Sequence, residues 1–173
     1  QGEYEKDPQG YIDYIGKFMR TCWEYGVSSM PIFWNGNFIV DFKEPTEEEY
    51  AKAAEYAKAI IDAFKDEEFV LMWDVINEPL RKCTGEVYEE RYANLRRYVR
   101  RLCEIVRSLD PVNCITVGHE QVKHCESSVD LVDVISYHDY LTTRAAIEGA
   151  IIDAEKLSAE NGNKPILNTE TGC

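Results

Sequence analysis

Two glutamates sit where runs of apolar residues stop: Val70 to Glu78 reads VLMWDVINE ahead of Pro79, and Pro165 to Glu170 reads PILNTE ahead of Thr171-Gly172. Both are carboxylates at the ends of buried strands. Two more short apolar runs, Cys114 to Val117 and Leu131 to Tyr137, lie between them and are separated by helical patterns, so both glutamates should emerge from one edge of a parallel sheet. Cleaving an acetal without strong acid needs one carboxylic acid to protonate the leaving oxygen and one carboxylate to stabilise or trap the oxocarbenium-like centre, and two glutamates from different strands meet that need.

Other strand ends carry polar or aromatic groups as well: Trp34-Asn35, Asn77 beside Glu78, His119-Glu120, and His138 with Tyr140. Asn77 and Glu78 are adjacent, yet both would have to face a substrate, which strict strand alternation forbids. A bulge or twist at that strand end is therefore expected, and Pro79 is suited to end the pairing there. Trp34 and Trp73 divide between a platform for a sugar ring and a core position. His119, Glu120, His124 and Cys125 match no metal-ligand spacing and read as a satisfied polar cluster, so the pattern asks for neither a metal nor a cofactor.

These residues need elements to carry them. Asp7-Pro8 opens a helical pattern (Tyr11, Ile15, Phe18, Cys22, Tyr25) that ends at Gly26, and Val27 to Trp34 follows as a strand closing on Asn35-Gly36-Asn37. Thr46 with Glu49 forms a capping box for a helix striped by Tyr50, Ala54, Ala57, Ile61 and Phe64, and Phe69 to Ile76 is the second strand. A helix over Val87 to Leu109 stops at Asp110-Pro111. Cys114 to Val117 and Leu131 to Tyr137 are the next strands, joined by a segment with room for one helical turn. A last helix from about Thr143 to Asn161 delivers the strand Ile166 to Thr169. Alternating helices and apolar strands with short connections imply a parallel sheet covered by helices, either a barrel or an open doubly wound sheet. Chemistry at nearly every strand end favours the barrel, since an open sheet concentrates its site at one switch point.

Composition narrows the function classes. The 173 residues, 45% hydrophobic, suit one globular core, and the formal net charge of −13 repels phosphate backbones and anionic lipid. Nucleic-acid and membrane-surface partners are thereby disfavoured and a neutral substrate is favoured. The run Arg96, Arg97, Arg100, Arg101 and Arg107 reads as a solvent-facing helix surface paired with Glu89, Glu90 and Glu104. There is no GxGxxG and no GxxxxGK[ST] to cradle a nucleotide phosphate. No stretch approaches the roughly 18 apolar residues of a membrane span. The start, Gln1-Gly2-Glu3-Tyr4, carries no basic or apolar leader and no initiating Met, which leaves both the compartment and the oligomeric state open. The six cysteines have no CxxC spacing; most are expected to be free and buried, with Cys103 and Cys114 acting as small apolar residues.

Trp73-Asp74-Val75-Ile76-Asn77-Glu78-Pro79 resembles the "NEP" strand end that carries the acid/base of clan A glycoside hydrolases, the set that includes family 5 cellulases and mannanases. Asn168-Thr169-Glu170-Thr171-Gly172 resembles their nucleophile strand. Ser136-Tyr137-His138-Asp139-Tyr140 resembles the strand between, which supplies a His and a Tyr beside the nucleophile. The resemblance implies an α/β fold, a (β/α)8 TIM barrel with these residues on strands four, six and seven, so that residues 1–173 form a single-domain part of the barrel holding about strands three to seven. A complete barrel takes about 250 residues. Family 5 members usually carry a His near the end of strand three, where this chain has Phe33-Trp34-Asn35. The implied activity is retaining hydrolysis of a β-linked glucan, mannan or xylan by Glu78 and Glu170, with Asn77, His138, Tyr140, Trp34 and Asn35 contacting substrate. Two alternatives are a non-catalytic carbohydrate-binding barrel, which would lose one carboxylate, and a metal-dependent barrel lyase or aldolase, which would need a strand-end Lys or ligand set.

Overall fold

The computed structural model describes residues 2–36, 44–81 and 88–172. Its elements in chain order are α1 (Gly2–Lys6), α2 (Pro8–Glu24), β1 (Ile32–Asn35), α3 (Glu47–Phe64), β2 (Trp73–Asn77), α4 (Tyr88–Leu109), β3 (Ile115–His119), a 3-10 helix (Val122–Ser127), β4 (Ile135–Asp139), α5 (Arg144–Glu160) and β5 (Ile166–Thr171). The five strands are all parallel and pair in sequence order, β1-β2-β3-β4-β5. An open doubly wound sheet reverses its strand order at a switch point. Unbroken sequential order with the chain crossing between parallel neighbours is instead the arrangement of a (β/α)8 barrel, of which this sheet is a part.

Helix boundaries follow local chemistry. The Asp7 carboxylate accepts the Gly10 N–H at the start of α2, where Pro8 occupies the first turn. At α3 both halves of the capping box form: Thr46 Oγ1 accepts the Glu49 N–H, and the Glu49 carboxylate accepts the Thr46 N–H. Thr143 caps α5 in the same way through the Ala146 N–H. The strands start later than their apolar runs. Pro31 has no N–H to donate, and before β1 and β2 the pairing is reduced to a single bridge between Ser29 and Val70. Likewise β3 begins at Ile115, which leaves Cys114 exposed, contrary to its expected burial. β4 begins at Ile135 and runs through His138, because the preceding Leu131-Val132 belongs to a turn closed onto Ser128. Cys103 and Cys125 are buried free thiols; Cys83, Cys173, Asn37 and Val87 lie outside the described residues.

The main core packs Ile61, Trp73, Val75, Val99, Leu102 and Val106 between the sheet and helices α3 and α4, and a smaller cluster joins β4, α5 and the 3-10 helix through Ile135, Tyr137 and Leu157. Among the described residues, the arginines of α4 do not pair with Glu89, Glu90 or Glu104 of their own helix; Arg97 donates to the Asn94 side chain one turn back. Others reach across to neighbouring segments: Arg96 to the Ser127 carbonyl, Arg100 to Asp130, Arg101 to Glu47 and over the Tyr50 ring, and Arg107 to Asp133. The run therefore fastens α4 to the loops around it. No helix among the described residues is long and apolar enough to cross a membrane.

Trp73 is fully buried and belongs to the core, with no face left for a sugar. Its indole N–H donates to Asp110 Oδ2 at 2.8 Å, and Asp110 also accepts from Asn113 Nδ2 and from the Val112 and Asn113 amides. Removing that carboxylate orphans a buried indole and a turn at once. Asp110→Ala should lower the unfolding free energy by about 3 kcal/mol in urea denaturation. A loss below about 0.5 kcal/mol would show that the turn holds without it.

Candidate active site

The two glutamates emerge at the C-terminal edge of the sheet. Glu78 follows the last residue of β2, and Glu170 lies within β5. The expected irregularity at Asn77-Glu78 is present. The β2–β3 register shifts between Asp74 and Asn77, and Glu78 takes φ +46, a left-handed conformation that is uncommon outside glycine. The strain is held by the surroundings: the Glu78 N–H donates to the Gly118 carbonyl at 2.7 Å, and the backbone after β1 packs directly on the turn. Gly36 allows that contact, since a Cβ there would fall 2.4 Å from Pro79 Cα. Asn77 and Glu78 are thereby both brought to the cleft.

His138 of β4 stands between the two carboxylates. Its Nδ1 lies 2.8 Å from Glu78 Oε1 and 3.5 Å from Glu170 Oε2. One donor atom from each of Glu78, His138 and Glu170 falls within 4.8 Å of the others, the one such trio of His, Cys or acidic side chains among the described residues. Tyr140 donates its hydroxyl to Glu170 Oε2 at 2.9 Å, and that bond raises the affinity of the phenol for its own proton. Trp34 is half-buried against Phe33 and Tyr56, so it offers only part of its face. Asn77, Glu78, His138, Tyr140 and Glu170 line a cleft of about 780 Å³. Trp34, Asn35, Asn77 and Glu170 line a second one of about 440 Å³. Asn77 and Glu170 belong to both, so one groove runs over the strand ends past the carboxylates.

Two participants have no counterpart in the sequence reading. Arg81, in the turn after Pro79, places its guanidinium 2.9 Å from Glu78 Oε2 and 3.7 Å from Glu120. Its spacing of three residues from Glu78 is the available signal. Asp74 is a carboxylate in mid-strand, 1% exposed, and a charged residue inside an apolar run is its signal. Like-charge repulsion from a neighbouring carboxylate would by itself keep Glu78 protonated. Burial does push the Glu78 carboxyl up, but the hydrogen bond from His138 and the attraction of Arg81 outweigh it and hold the group below the ordinary glutamate value. The His119 cluster is only partly satisfied. His119 Nε2 bonds Ser128 Oγ at 2.9 Å and Cys125 bonds the Ser136 carbonyl, whereas Nδ1 of both His119 and His124 is buried without a partner among the described residues. Burial lowers His119 to about 3, so it stays neutral.

A sequential parallel barrel sheet with two carboxylates at its C-terminal edge defines the class of barrel glycosidases. The family model described as cellulase (glycosyl hydrolase family 5) matches residues 34–173, and the chain belongs to that family. Mannan endo-1,4-beta-mannosidases 8 and 7 of Oryza sativa subsp. japonica are each 26% identical to it over 114 residues, 57% of this chain. The chain spans 29% and 28% of the length of those relatives. Among solved structures, a beta-glucuronidase from an uncultured Clostridium sp. superposes with a TM-score of 0.68 at 21% identity, over 91% of this chain and 28% of that one. A psychrophilic glycoside hydrolase family 10 endo-beta-1,4-xylanase does so with 0.58 at 17%, over 83% and 53%. These two likenesses concern the fold.

Because the folded state holds the Glu78 proton less tightly than a free glutamate, Glu78 contributes stability above its unfolded value of about 4.3, lost as pH falls through the lower folded value. Glu78→Gln should therefore flatten the decline of unfolding free energy on acidification below about pH 4.3. Equal slopes for the native protein and the variant in denaturant titrations would mean that His138 and Arg81 do not hold the charge.

Proposed function

We propose that this chain is a single-domain part of the catalytic barrel of a retaining endo-β-glycanase that hydrolyses a β-linked polysaccharide of the glucan, mannan or xylan type, without metal or cofactor. Mannan is favoured within that set by the two rice relatives. The observation that carries the reading is the trio of Glu78, His138 and Glu170 donor atoms within 4.8 Å of one another. Retaining enzymes hold their carboxyl groups about 5 to 5.5 Å apart, whereas inverting enzymes need about 6.5 to 9.5 Å to admit a water.

In this mechanism Glu170 is the nucleophile. Tyr140 donates to its carboxylate and steadies the negative charge that attacks the anomeric carbon. Glu78 protonates the leaving oxygen, then removes a proton from the water that hydrolyses the glycosyl-enzyme. For the first step Glu78 must gain a proton, and a negative carboxylate close by favours uptake once a leaving-group oxygen displaces the Arg81 contact. Asn77 contacts the 2-hydroxyl, and its buried amide oxygen has no partner among the described residues. Trp34 and Asn35 line the adjoining end of the groove, which suits a chain that extends past the cleavage point.

The roles separate by substrate. Glu78→Ala should lose about 10² to 10⁴-fold on polymer while keeping its first step on an activated aryl glycoside, where protonation matters less. Glu170→Ala should fail on both. Azide supplies the control: with Glu78→Ala it attacks the glycosyl-enzyme and gives the β-glycosyl azide, and with Glu170→Ala it attacks substrate directly and gives the α product. The α product from the Glu78 variant, or the β product from the Glu170 variant, would exchange the roles or reject the mechanism.

A further inference from the structure

The Tyr140 hydroxyl reaches Glu170 from a residue that no strand holds. β4 ends at Asp139, so Tyr140 lies one position past it, and the side chain is not fixed by burial, since the residue is 56% exposed. Strand alternation no longer decides where it points. Two neighbours take over. The Asp139 carboxylate folds back along the chain and its Oδ1 accepts the Leu141 N–H at 2.8 Å, an Asx turn that closes over Tyr140 and sets the direction of its backbone. Asp139 is 4% exposed, so water competes little for that bond. On the other side lies Gly172, where a Cβ would fall 3.0 Å from Tyr140 Cε1 and 3.3 Å from Cδ1, so the phenol ring rests against bare backbone. The turn is tied to the strand that carries Glu170: Asp139 pairs with Thr171, His138 pairs with Glu170, and the Gly172 N–H donates to the Asp139 carbonyl at 3.4 Å.

We propose that Asp139 and Gly172 are positioning residues for Tyr140: the Asx turn sets the backbone from which the phenol departs, Gly172 leaves the space its ring occupies, and together they hold the hydroxyl 2.9 Å from Glu170 Oε2. Neither residue lines either cleft, so each acts through Tyr140. The reason is entropic. A hydroxyl on an exposed side chain free to turn gives up rotamer freedom each time it meets Glu170, and a ring already held in place does not.

The consequence for activity rests on the hydrolase reading above, but the first measurement does not. In the whole protein, the ¹H–¹³C ring signals of Tyr140 should stand apart from those of Tyr25, which is 83% exposed, and in Asp139→Ala they should move onto them. Asp139→Asn keeps the acceptor oxygen and should restore the native signals. In kinetics, Asp139→Ala and Tyr140→Phe should each lower kcat about tenfold with KM little changed, the scale of one hydrogen bond to a charged group. The double variant should be no slower than Tyr140→Phe alone. Losses that multiply to about a hundredfold would give Asp139 a route of its own and overturn the proposal. Native ring signals in a folded Asp139→Ala overturn it as well. Should Asp139→Ala fail to fold, Gly172→Ala presses a methyl on the ring and should move the Tyr140 signals in the same direction; unmoved signals there overturn the proposal. Moved ring signals in a protein that hydrolyses no glycoside leave it intact and reject the hydrolase reading alone.

Discussion

The site depends on one imidazole. His138 Nδ1 lies 2.8 Å from Glu78 and 3.5 Å from Glu170, two carboxylates carried by strands on either side of it in the sheet order. Without a shared donor, carboxylates this close would repel, and one would keep its proton. The sheet is arranged to admit the ring. β3 carries glycine at 118 so that His138 can lie over it, the β2–β3 register shifts to bring Asn77 and Glu78 to the cleft, and Gly36 lets the chain close down on Pro79.

This arrangement separates two properties that the residue types alone would run together. A pair of glutamates suggests one protonated and one ionised by mutual repulsion. With a ring between them and a guanidinium at 2.9 Å, the site instead favours the ionised form of Glu78. On the proposed mechanism, the acid needed for bond cleavage would be generated when substrate enters and a leaving-group oxygen displaces the Arg81 contact to Glu78. Strain has a similar place: the left-handed Glu78 is stable only because the Gly118 carbonyl and the packed backbone of Gly36 fix it from two sides.

Much of this was legible in sequence. The capping pairs Asp7-Pro8, Thr46-Glu49 and Thr143 mark helix starts through bonds that involve residues three apart, and local rules of that kind are readable without a fold. Glu78, His138, Tyr140 and Glu170 were legible as strand-end polar groups and converge as expected. Strand starts were not legible, because the run Val27 to Trp34 begins with an exposed Val27 and its first residues make only the isolated Ser29–Val70 bridge before regular pairing starts at Ile32. Arg81 and Asp74 were missed for different reasons. Arg81 acts through a turn whose direction the left-handed Glu78 sets, and Asp74 meets the Gly118 amide only through the pairing of β2 with β3. The cross-chain partners of the α4 arginines likewise depend on tertiary contacts that helix spacing cannot supply.

The central claim is that Glu170 forms a covalent bond to the sugar while Glu78 manages protons. It is tested most directly by incubating the whole protein with a 2-deoxy-2-fluoro β-glycoside that carries an activated leaving group and the sugar the protein hydrolyses, followed by mass spectrometry of its proteolytic peptides. The fluorine slows hydrolysis of the intermediate more than its formation when the leaving group is good, so the glycosyl-enzyme accumulates. The account predicts one added fluoroglycosyl group, located on Glu170. A label on Glu78, or turnover of the polymer with inversion and no label, would contradict it.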